Sequence, residues 1–326
     1  MARTKVLFVL FAASAFAAAA ADTGVRGPSL GYSVERTAVR PITGMPGAAL
    51  AGAAIDLGGT VRLAAASNTA GFVLAVVGDE GRVVLFRGAA PVPLAGALPA
   101  TDHIAVSPGG RAAVLYSSQT DSIQLITGLP GNPALGTPVP LPYPAGAIAV
   151  SDTGTVLAGG SDGLWSVQTT LRPAPNSPNG RMVYSAGARA AVPIPPQPSF
   201  LHAGSVSAVA FFENSNDAAF ASDGIVWVRR GAAITPLGDA PGALALQTAA
   251  QFVFAATEKS VIRFELATGA RAETACDFAV TALDPMSTSA VFRLNDGSGG
   301  PVYLYDASGP EPRVVFVPAA QEGGAR

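Results

Sequence analysis

The chain has 326 residues, of which 49% are apolar and only 13% are charged, and its net charge is −2 at pH 7. The apolar content excludes a disordered protein, and the balanced charge provides no clustered basic face for nucleic acid. The sequence also contains 37 Gly and 27 Pro residues. So many turn-forming residues in an apolar chain indicate short buried strands joined by tight turns.

The first 21 residues are typical of a secretory signal peptide. Arg3 and Lys5 precede an apolar run from Val6 to Ala21 that ends in consecutive alanines, which is the pattern of a cleavable export signal. The run is shorter than the roughly 20 residues that a transmembrane helix needs, so we expect no membrane anchor after cleavage. We therefore expect an exported protein, periplasmic or extracellular, with residues 22–29 as a short linker.

From residue 30 to residue 317 a pattern of short strands recurs about every 40 residues. The middle strand of each unit marks the period, at Val39, Val83, Ile123, Leu164, Ile225, Val261 and Val302. One interval is longer than the others because it contains a proline-rich insertion over 172–200. The segments ITGMPG (42–47) and ITGLPG (126–131) are predicted to be the same corner, between the third and fourth strands of two units.

Each unit is predicted to contain four strands. The first is short and apolar, as in HIAVS (103–107), AIAVS (147–151) and VTALD (280–284). A second apolar strand, an Asp-containing hairpin such as SDG (161–163) and a third strand follow; Asp-Gly between apolar runs is a strong hairpin signal. The fourth strand often carries proline, as in PVPLA (91–95), PVPLP (138–142), AVPIP (191–195) and ITPLG (234–238). Proline is confined to sheet edges, so this strand should be the outer one.

These units predict an all-β fold, a single β-propeller domain over residues 30–317 with seven four-stranded blades and a C-terminal tail over 318–326. The first blade supplies strands at Tyr32–Glu35, Val39–Thr43 and Ala53–Leu57 but no obvious inner strand. Six blades with an additional N-terminal hairpin are therefore the alternative.

Three residues are expected to serve packing rather than chemistry. Cys276 is the single cysteine, so no intramolecular disulfide can form and stability must come from the core. Its apolar surroundings predict an inert, buried thiol. Trp165 and Trp227 both follow SDG hairpins, and their matching positions predict packing between blades.

The segment IAVSPGGRAAVLYSSQTDSIQLI, residues 104–126, resembles the bacterial YVTN-type and WD40-like propeller repeats. Ser107, Pro108, Gly110 and Arg111 match that repeat, and Gly109 replaces its usual Asp. The resemblance implies an exported seven-bladed propeller. Such propellers include binding scaffolds, lactonases and proteins of other functions, so the fold does not choose among them.

The sequence contains no HExxH, Walker loop or CxxC motif. The letters GxSxG occur at GPSLG (27–31) and GGSDG (159–163), and the second of these contains the predicted SDG hairpin. Two histidines and one cysteine cannot build a zinc site without carboxylates. We therefore assign no catalytic residue, metal or cofactor from motifs.

Alternating strand direction places the hairpins after the second strands and the connections between blades on one face of the disc. The hairpins bring acidic residues to this face: Asp79, Glu80, Asp121, Asp162, Asp223, Glu258 and Asp296. The connections add the candidate ligand-binding residues: Asp102, His103, His202, Asp239 and Asp277. An acidic ring around an axial channel would suit Ca²⁺ or a cationic ligand, although Asp also serves ordinary turn chemistry. The opposite face collects Arg87, Arg111, Arg172, Arg229 and Arg230.

The leading functional hypothesis is a monomeric, non-catalytic binding or scaffolding module that uses one face of the disc for a protein or small ligand in the cell envelope. The alternative is a propeller enzyme, a metal-assisted lactonase or hydrolase, which needs three or four of the five candidate residues to converge on one point. A third possibility is a module of a larger envelope assembly, which predicts an exposed apolar patch.

Overall fold

The computed structural model describes residues 28–168, 197–288, 290–297 and 300–319. Strands are the only regular elements in these residues, and they form seven antiparallel sheets arranged as the blades of a β-propeller. The predicted signal peptide lies outside the described residues. No helix in the described ranges is long and apolar enough to cross a membrane.

Blades 1 to 4 contain the first sixteen strands in chain order. Blade 1 consists of β1 (Ser29–Val34), β2 (Val39–Met45) and β3 (Ala48–Ala51). Blade 2 consists of β4 (Val61–Ser67), β5 (Phe72–Val77), β6 (Arg82–Phe86) and β7 (Val92–Pro93). Blade 3 consists of β8 (His103–Val106), β9 (Ala112–Ser117), β10 (Ser122–Thr127), β11 (Ala134–Leu135) and β12 (Val139–Pro140). Blade 4 consists of β13 (Ala147–Val150), β14 (Thr155–Gly160), β15 (Gly163–Gln168) and β16 (Ser199–His202).

Blades 5 to 7 each contain four strands. Blade 5 consists of β17 (Val206–Phe211), β18 (Ala218–Ser222), β19 (Ile225–Arg230) and β20 (Ala233–Asp239). Blade 6 consists of β21 (Ala245–Ala249), β22 (Phe252–Ala256), β23 (Ser260–Glu265) and β24 (Arg271–Ala275). Blade 7 consists of β25 (Asp284–Pro285), β26 (Val291–Arg293), β27 (Val302–Asp306) and β28 (Arg313–Val317).

The seven-bladed prediction is confirmed, and the six-bladed alternative is wrong because β1, β2 and β3 form a sheet of their own. The two similar corners are also confirmed. Pro46 and Gly47 turn the chain from β2 into β3, while Gly128 and the residues after it turn β10 towards β11. The repeated sequence is therefore a repeated structural corner.

Two strand predictions need correction. Ala53–Leu57 is not a strand, because the tight turn at Pro46 and Gly47 lets β3 pair with β2 at once. In VTALD only Asp284 belongs to a strand, and the amides of Thr281 and Ala282 both bond to the Leu294 carbonyl instead of forming a regular ladder.

The described prolines of the predicted fourth strands lie at the outer edge of the blades, as predicted. Pro93 in β7, Pro140 in β12 and Pro236 in β20 all belong to strands that pair on one side only, where the missing N–H costs no ladder bond. AVPIP and most of the predicted insertion lie outside the described residues. The end of that range, Ser199 and Phe200, belongs to β16.

Each blade buries both of its faces against its neighbours. In β9 every residue is buried. Ala113 and Leu115 pack into the cluster shared with blade 2, whereas Val114 and Tyr116 pack into the cluster shared with blade 4. This two-sided burial explains why the second strands are continuously apolar, since neither face meets water.

The blade 3 residues that match the known repeats stabilise the turn between β8 and β9. The Ser107 hydroxyl accepts hydrogen bonds from the amides of Arg111 and Ala112, both at 3.0 Å. Gly109 replaces the usual Asp because a carboxylate from the next blade reaches this turn. Asp152 Oδ1 accepts from the Gly109 amide at 2.9 Å, and its carboxylate lies where a side chain on residue 109 would begin.

Blade 1 has no inner strand among the described residues, as the sequence predicted. In blades 2 to 7 the inner strand ends at the turn into the second strand. β1 runs in the opposite direction, as its contacts with blade 7 show. At its start, the Ser29 carbonyl accepts a hydrogen bond at 2.7 Å from Ser287 Oγ, in the turn after β25. At its end, the Val34 carbonyl accepts from Arg293, at the far end of β26. β1 therefore occupies the place of a second strand.

Side chains from two neighbouring blades bond to the edge of β1 that an inner strand would cover. Asn68 of blade 2 accepts from the Tyr32 amide at 2.6 Å and donates to the Tyr32 carbonyl at 3.3 Å, as a peptide group of a strand would. Its Nδ2 also donates to the Pro285 carbonyl of blade 7 at 2.8 Å. The Ser287 amide donates to the Leu30 carbonyl at 2.9 Å. These bonds join blades 1, 2 and 7.

Gly31 makes room for this arrangement. Its φ is +108°, and side-chain atoms of Asn68 occupy the space that a Cβ on residue 31 would need. A larger residue at position 31 would push the Asn68 amide away from β1.

An apolar cluster closes the ring between blades 1 and 7. Its buried members are Leu30, Ile42 and Ala49 from blade 1 and Met286, Val291, Val302, Leu304 and Val317 from blade 7. Blades 1 and 7 share no strand, so within the described chain the ring closes by packing, by the side-chain bonds of Asn68, Ser287 and Arg293, and by the backbone bond from Ser287 to Leu30.

Replacing Asn68 with Ala should lower the free energy of unfolding by about 2 to 3 kcal/mol, because the Tyr32 amide and carbonyl lose their partner in a buried site. Equilibrium urea unfolding of the two proteins measures the difference.

The matched control is Asn132→Ala, because Asn132 is exposed in the turn after β10. Its unfolding free energy should stay within about 0.5 kcal/mol of wild type. Equal effects of the two substitutions would show that Asn68 does not close the ring.

Candidate functional site

A cavity of about 390 Å³ follows the axis of the propeller. It is lined by the inner strands of blades 2 to 7 and, where blade 1 has no inner strand, by Tyr32 and Val34 of β1. This volume lies within the range of small-ligand sites, about 300 to 1,000 Å³. The axial channel is therefore the candidate site.

Small side chains keep the channel open. Alanines recur on its wall: Ala64, Ala65, Ala66, Ala105, Ala147, Ala149, Ala208, Ala210, Ala245 and Ala282. Inner strands crowd together near the axis, and their axial edges have no further strand to pair with, so their free peptide groups face the channel. The wall is thus narrow, polar along the backbone and nearly free of charge.

The charged groups of the channel lie on blade 7. Arg293 is 5% exposed and pairs with the Asp284 carboxylate, to which its Nη2 donates. Its Nη1 also donates to the carbonyls of Val34 at 2.5 Å and Asn295 at 2.6 Å. The Asp284 side chain is 49% exposed. Arg293 is thus held inside the wall, while the carboxylate of its partner reaches the channel.

This ion pair depends on the gap in blade 1. Asp284 begins β25 and Arg293 ends β26, and the two residues are opposite each other in the ladder. With no inner strand in front of β1 among the described residues, the guanidinium can reach the Val34 carbonyl of that strand. A buried guanidinium without a partner is strongly unfavourable, so Asp284 is needed to neutralise it.

His103 is the one candidate residue that lines the channel. It begins β8, and burial lowers the pKa of its imidazole below the ordinary 6.5, although the neighbouring Asp102 carboxylate opposes that shift. The ring is therefore mostly neutral at pH 7 and offers one donor and one acceptor to the channel.

The other four candidates lie elsewhere. Asp102 accepts a hydrogen bond from the Ser118 amide at 3.0 Å and a second from its hydroxyl, on the surface of blade 3. His202 ends the outer strand β16 and packs against Phe220 and Trp227 of blade 5, with ring centroids 5.0 Å from each.

The last two candidates lie on the same face of the disc as Asp102: Asp239 at the end of a strand and Asp277 in a connection between blades. Asp239 ends the outer strand β20. Asp277 follows Cys276, whose burial raises the pKa of the thiol, with a smaller contribution from the Asp277 carboxylate. None of Asp102, His202, Asp239 and Asp277 lines the axial channel, and a ligand role for the five residues stays a prediction.

The described ranges contain no group of three or more His, Cys, Asp or Glu side chains that could hold a metal ion. The convergence that a metal-assisted enzyme requires is therefore not observed in this part of the chain. This finding concerns the described residues and a metal site only.

The two faces of the disc differ in charge. One face, which we call the hairpin face, carries the hairpins between second and third strands and the connections between blades. Its carboxylates include Asp56, Asp79, Glu80, Asp102, Asp121, Asp162, Asp223, Asp239, Glu258, Asp277 and Asp296, against the cations Arg36, Arg62, Arg82 and Lys259. The opposite turn face carries Arg87, Arg111, Arg229 and Arg230, as predicted, together with the carboxylates Asp152, Glu213, Asp217, Glu265 and Glu311. Arg172 lies outside the described residues. The hairpin face is therefore the acidic one.

Asn68, Asp284 and Arg293 line the channel but were not predicted from the sequence. A signal for Arg293 was present, since a charge within the apolar strand AVFRL (290–294) must find a partner when buried. Asp284 ends VTALD, and its place opposite Arg293 becomes visible only when the two strands are paired.

Comparisons with known proteins support the fold. No protein-family model matches the chain, and no curated protein is significantly similar to it. A functionally unknown protein from Desulfotomaculum acetoxidans DSM 771 is 16% identical with a TM-score of 0.60, covering 91% of this chain and 98% of that one. The YVTN-type family suggested by the sequence is not established by any of these comparisons.

Two further solved structures are similar. PorZ, an essential surface component of the type-IX secretion system of Porphyromonas gingivalis, is 13% identical with a TM-score of 0.58, covering 92% of this chain and 39% of that one. Apo AztD from Citrobacter koseri is 14% identical with a TM-score of 0.52, covering 89% of this chain and 95% of that one. At these identities the likeness shows the propeller fold alone.

The lowered pKa of His103 predicts a pH dependence of stability. Between pH 7 and pH 5 the unfolded state binds a proton at this imidazole more readily than the folded state, so the free energy of unfolding should fall as the pH falls. His103→Gln should make that decline shallower, as measured by urea unfolding at several pH values.

An NMR titration of the imidazole, assigned with the same variant, provides the direct check. A pKa at or above 6.5 would contradict the burial of His103 in the channel wall.

Proposed function

We propose that this protein is an exported, non-catalytic binding module whose axial channel takes a cationic ligand from the hairpin face. The observation that carries the proposal is the channel itself, about 390 Å³ in volume, polar along its wall and open beside the Asp284 carboxylate. Binding sites of this kind are concave and largely preformed, with a few placed polar groups.

The charge of the hairpin face favours a cation. Carboxylates outnumber cations on this face, and their combined field attracts positive charge towards it. Inside, Arg293 is neutralised by Asp284, and the neutral imidazole of His103 adds no positive charge at pH 7. A cation entering from the hairpin face therefore meets attraction at the mouth and no uncompensated positive group on the wall.

Exposed apolar side chains on the same face support contact with a larger partner. Tyr143 and Leu244 lie in connections between blades, and they are 46% and 38% exposed. Leu244 also borders the channel. Partly exposed apolar groups next to charged ones are typical of protein-binding surfaces, so the partner can be a protein segment as well as a small molecule.

Export is supported by the sequence of residues 1–21, whose basic start and apolar run match a secretory signal. The proposed place of action is accordingly the periplasm, the cell envelope or the outside of the cell. For the alternative of a metal-assisted propeller hydrolase, the described residues contain no group of three or more His, Cys, Asp or Glu side chains that could hold the metal.

The linear polyamine spermine is a suitable probe, because it is cationic and thin enough for a narrow channel. Isothermal titration should show saturable binding that weakens as salt is added, since exposed charges are screened. Leu244→Lys, which adds a positive charge at the channel mouth, should weaken binding about fivefold or more.

Val92→Lys is the matched control. Val92 is 45% exposed, like Leu244, but it lies in the outer strand β7 and does not border the channel. It should bind spermine as the wild type does. Absence of saturable binding, or an equal effect of the two lysine substitutions, would refute the channel as the binding site.

A further inference from the structure

Three aromatic rings meet on the hairpin face between blades 3 and 4. Tyr143 comes from the connection before β13, Trp165 from β15 and Phe200 from β16. The Trp165 ring centroid lies 5.6 Å from that of Tyr143 and 5.1 Å from that of Phe200. Tyr143 is 46% exposed and Phe200 is 51% exposed. The rings therefore present aromatic surface to the solvent.

A carboxylate borders the same place. Tyr143, Trp165 and Asp162 line one small cavity, together with Pro142 and Pro144, but its volume of about 10 Å³ is too small for an ammonium group. A ligand would therefore lie on the ring surface, and we call the surface formed by Tyr143, Trp165, Phe200 and Asp162 the aromatic notch. The Asp162 carboxylate accepts from the Ser161 hydroxyl at 3.2 Å, and none of the ion pairs found in the described chain involves Asp162. Among the described residues, Asp162 therefore has no cationic partner, and its negative charge lies beside exposed rings.

Gly163 is required for this geometry. The atom Cε2 of Phe200 lies 2.7 Å from the position that a Cβ on residue 163 would take, and the φ of Gly163 is +134°. The missing side chain lets the Phe200 ring lie across the SDG hairpin and next to Trp165.

Blade 5 repeats the sequence pattern, but there a histidine ring packs against the equivalent tryptophan. There the hairpin Ser222-Asp223-Gly224 precedes Trp227. His202 covers Trp227 with ring centroids 5.0 Å apart, and the Asp223 carboxylate accepts from the Ser205 amide at 3.2 Å. In blade 4 the equivalent Trp165 is flanked by the exposed Tyr143 and Phe200 rings.

We propose that the aromatic notch binds a substituted ammonium group, such as a methylated amine. The electron-rich faces of aromatic rings attract a cation that sheds its water easily, and a nearby carboxylate adds charge attraction. The notch shares no lining residue with the axial channel. It is thus a second site, beyond the function proposed for the channel, and does not require the channel to be occupied.

Choline and its neutral isostere 3,3-dimethyl-1-butanol test this proposal, because the pair differs in charge but hardly in shape. The protein carries two tryptophans, so the substitution Trp227→Phe leaves Trp165 as the single tryptophan reporter. Choline should change the fluorescence of Trp165 in a saturable manner, and the isostere should bind at least about fivefold more weakly.

In that background, Tyr143→Leu and Asp162→Asn should each weaken choline binding about threefold or more. Asp223→Asn is the matched control in the blade 5 hairpin and should leave binding unchanged. Equal binding of choline and the isostere, no saturable change, or an equal loss with Asp223→Asn would overturn the proposal. Because the signal comes from Trp165 and no channel residue is altered, such a result leaves the spermine experiment unaffected.

Discussion

The structure depends on how its ring is closed. A propeller is stable only when every blade buries both faces, so the first and last blades must meet as tightly as any other pair. In the described part of the chain, blade 7 and blade 1 share no strand. The Asn68 amide bonds to both peptide groups of Tyr32 and to the Pro285 carbonyl, so one side chain does locally what a strand does elsewhere in the ring. An apolar cluster between the two blades supplies the buried area.

The manner of closure also determines the chemistry of the channel. An inner strand in blade 1 would cover β1 and leave the Arg293 guanidinium nothing to bond with on that side. Without it, Arg293 reaches the Val34 carbonyl, and Asp284 must remain beside it to balance a buried charge. The only ion pair on the channel wall of the described chain is therefore a consequence of the missing strand. The acidic hairpin face has a separate origin, namely the use of Asp in its hairpins.

Much of the fold was predictable because it is repeated. A period near 40 residues, Asp-Gly hairpins and proline in the outer strands fix the blades and the face on which each loop lies. The distance of a residue from the propeller axis was harder to predict. His103 and His202 lie on the same face, but His103 begins an inner strand and His202 ends an outer one. That difference depends on which segment forms the fourth strand of blade 4, and β16 follows a long insertion. Asn68 was unpredictable for another reason, since its partners are 36 and 217 residues away.

Amide hydrogen exchange at Tyr32 tests the account of ring closure most directly. Exchange reports whether an amide is held in a stable hydrogen bond, and β1 is an edge strand whose Tyr32 amide bonds to the Asn68 side chain in place of a neighbouring strand. Residue-resolved exchange in the native protein should show Tyr32 protected to the same degree as ladder amides of β5 and β9. If the Tyr32 amide exchanges as fast as the free amides of an exposed edge, Asn68 does not replace the missing strand and the ring is closed in another way.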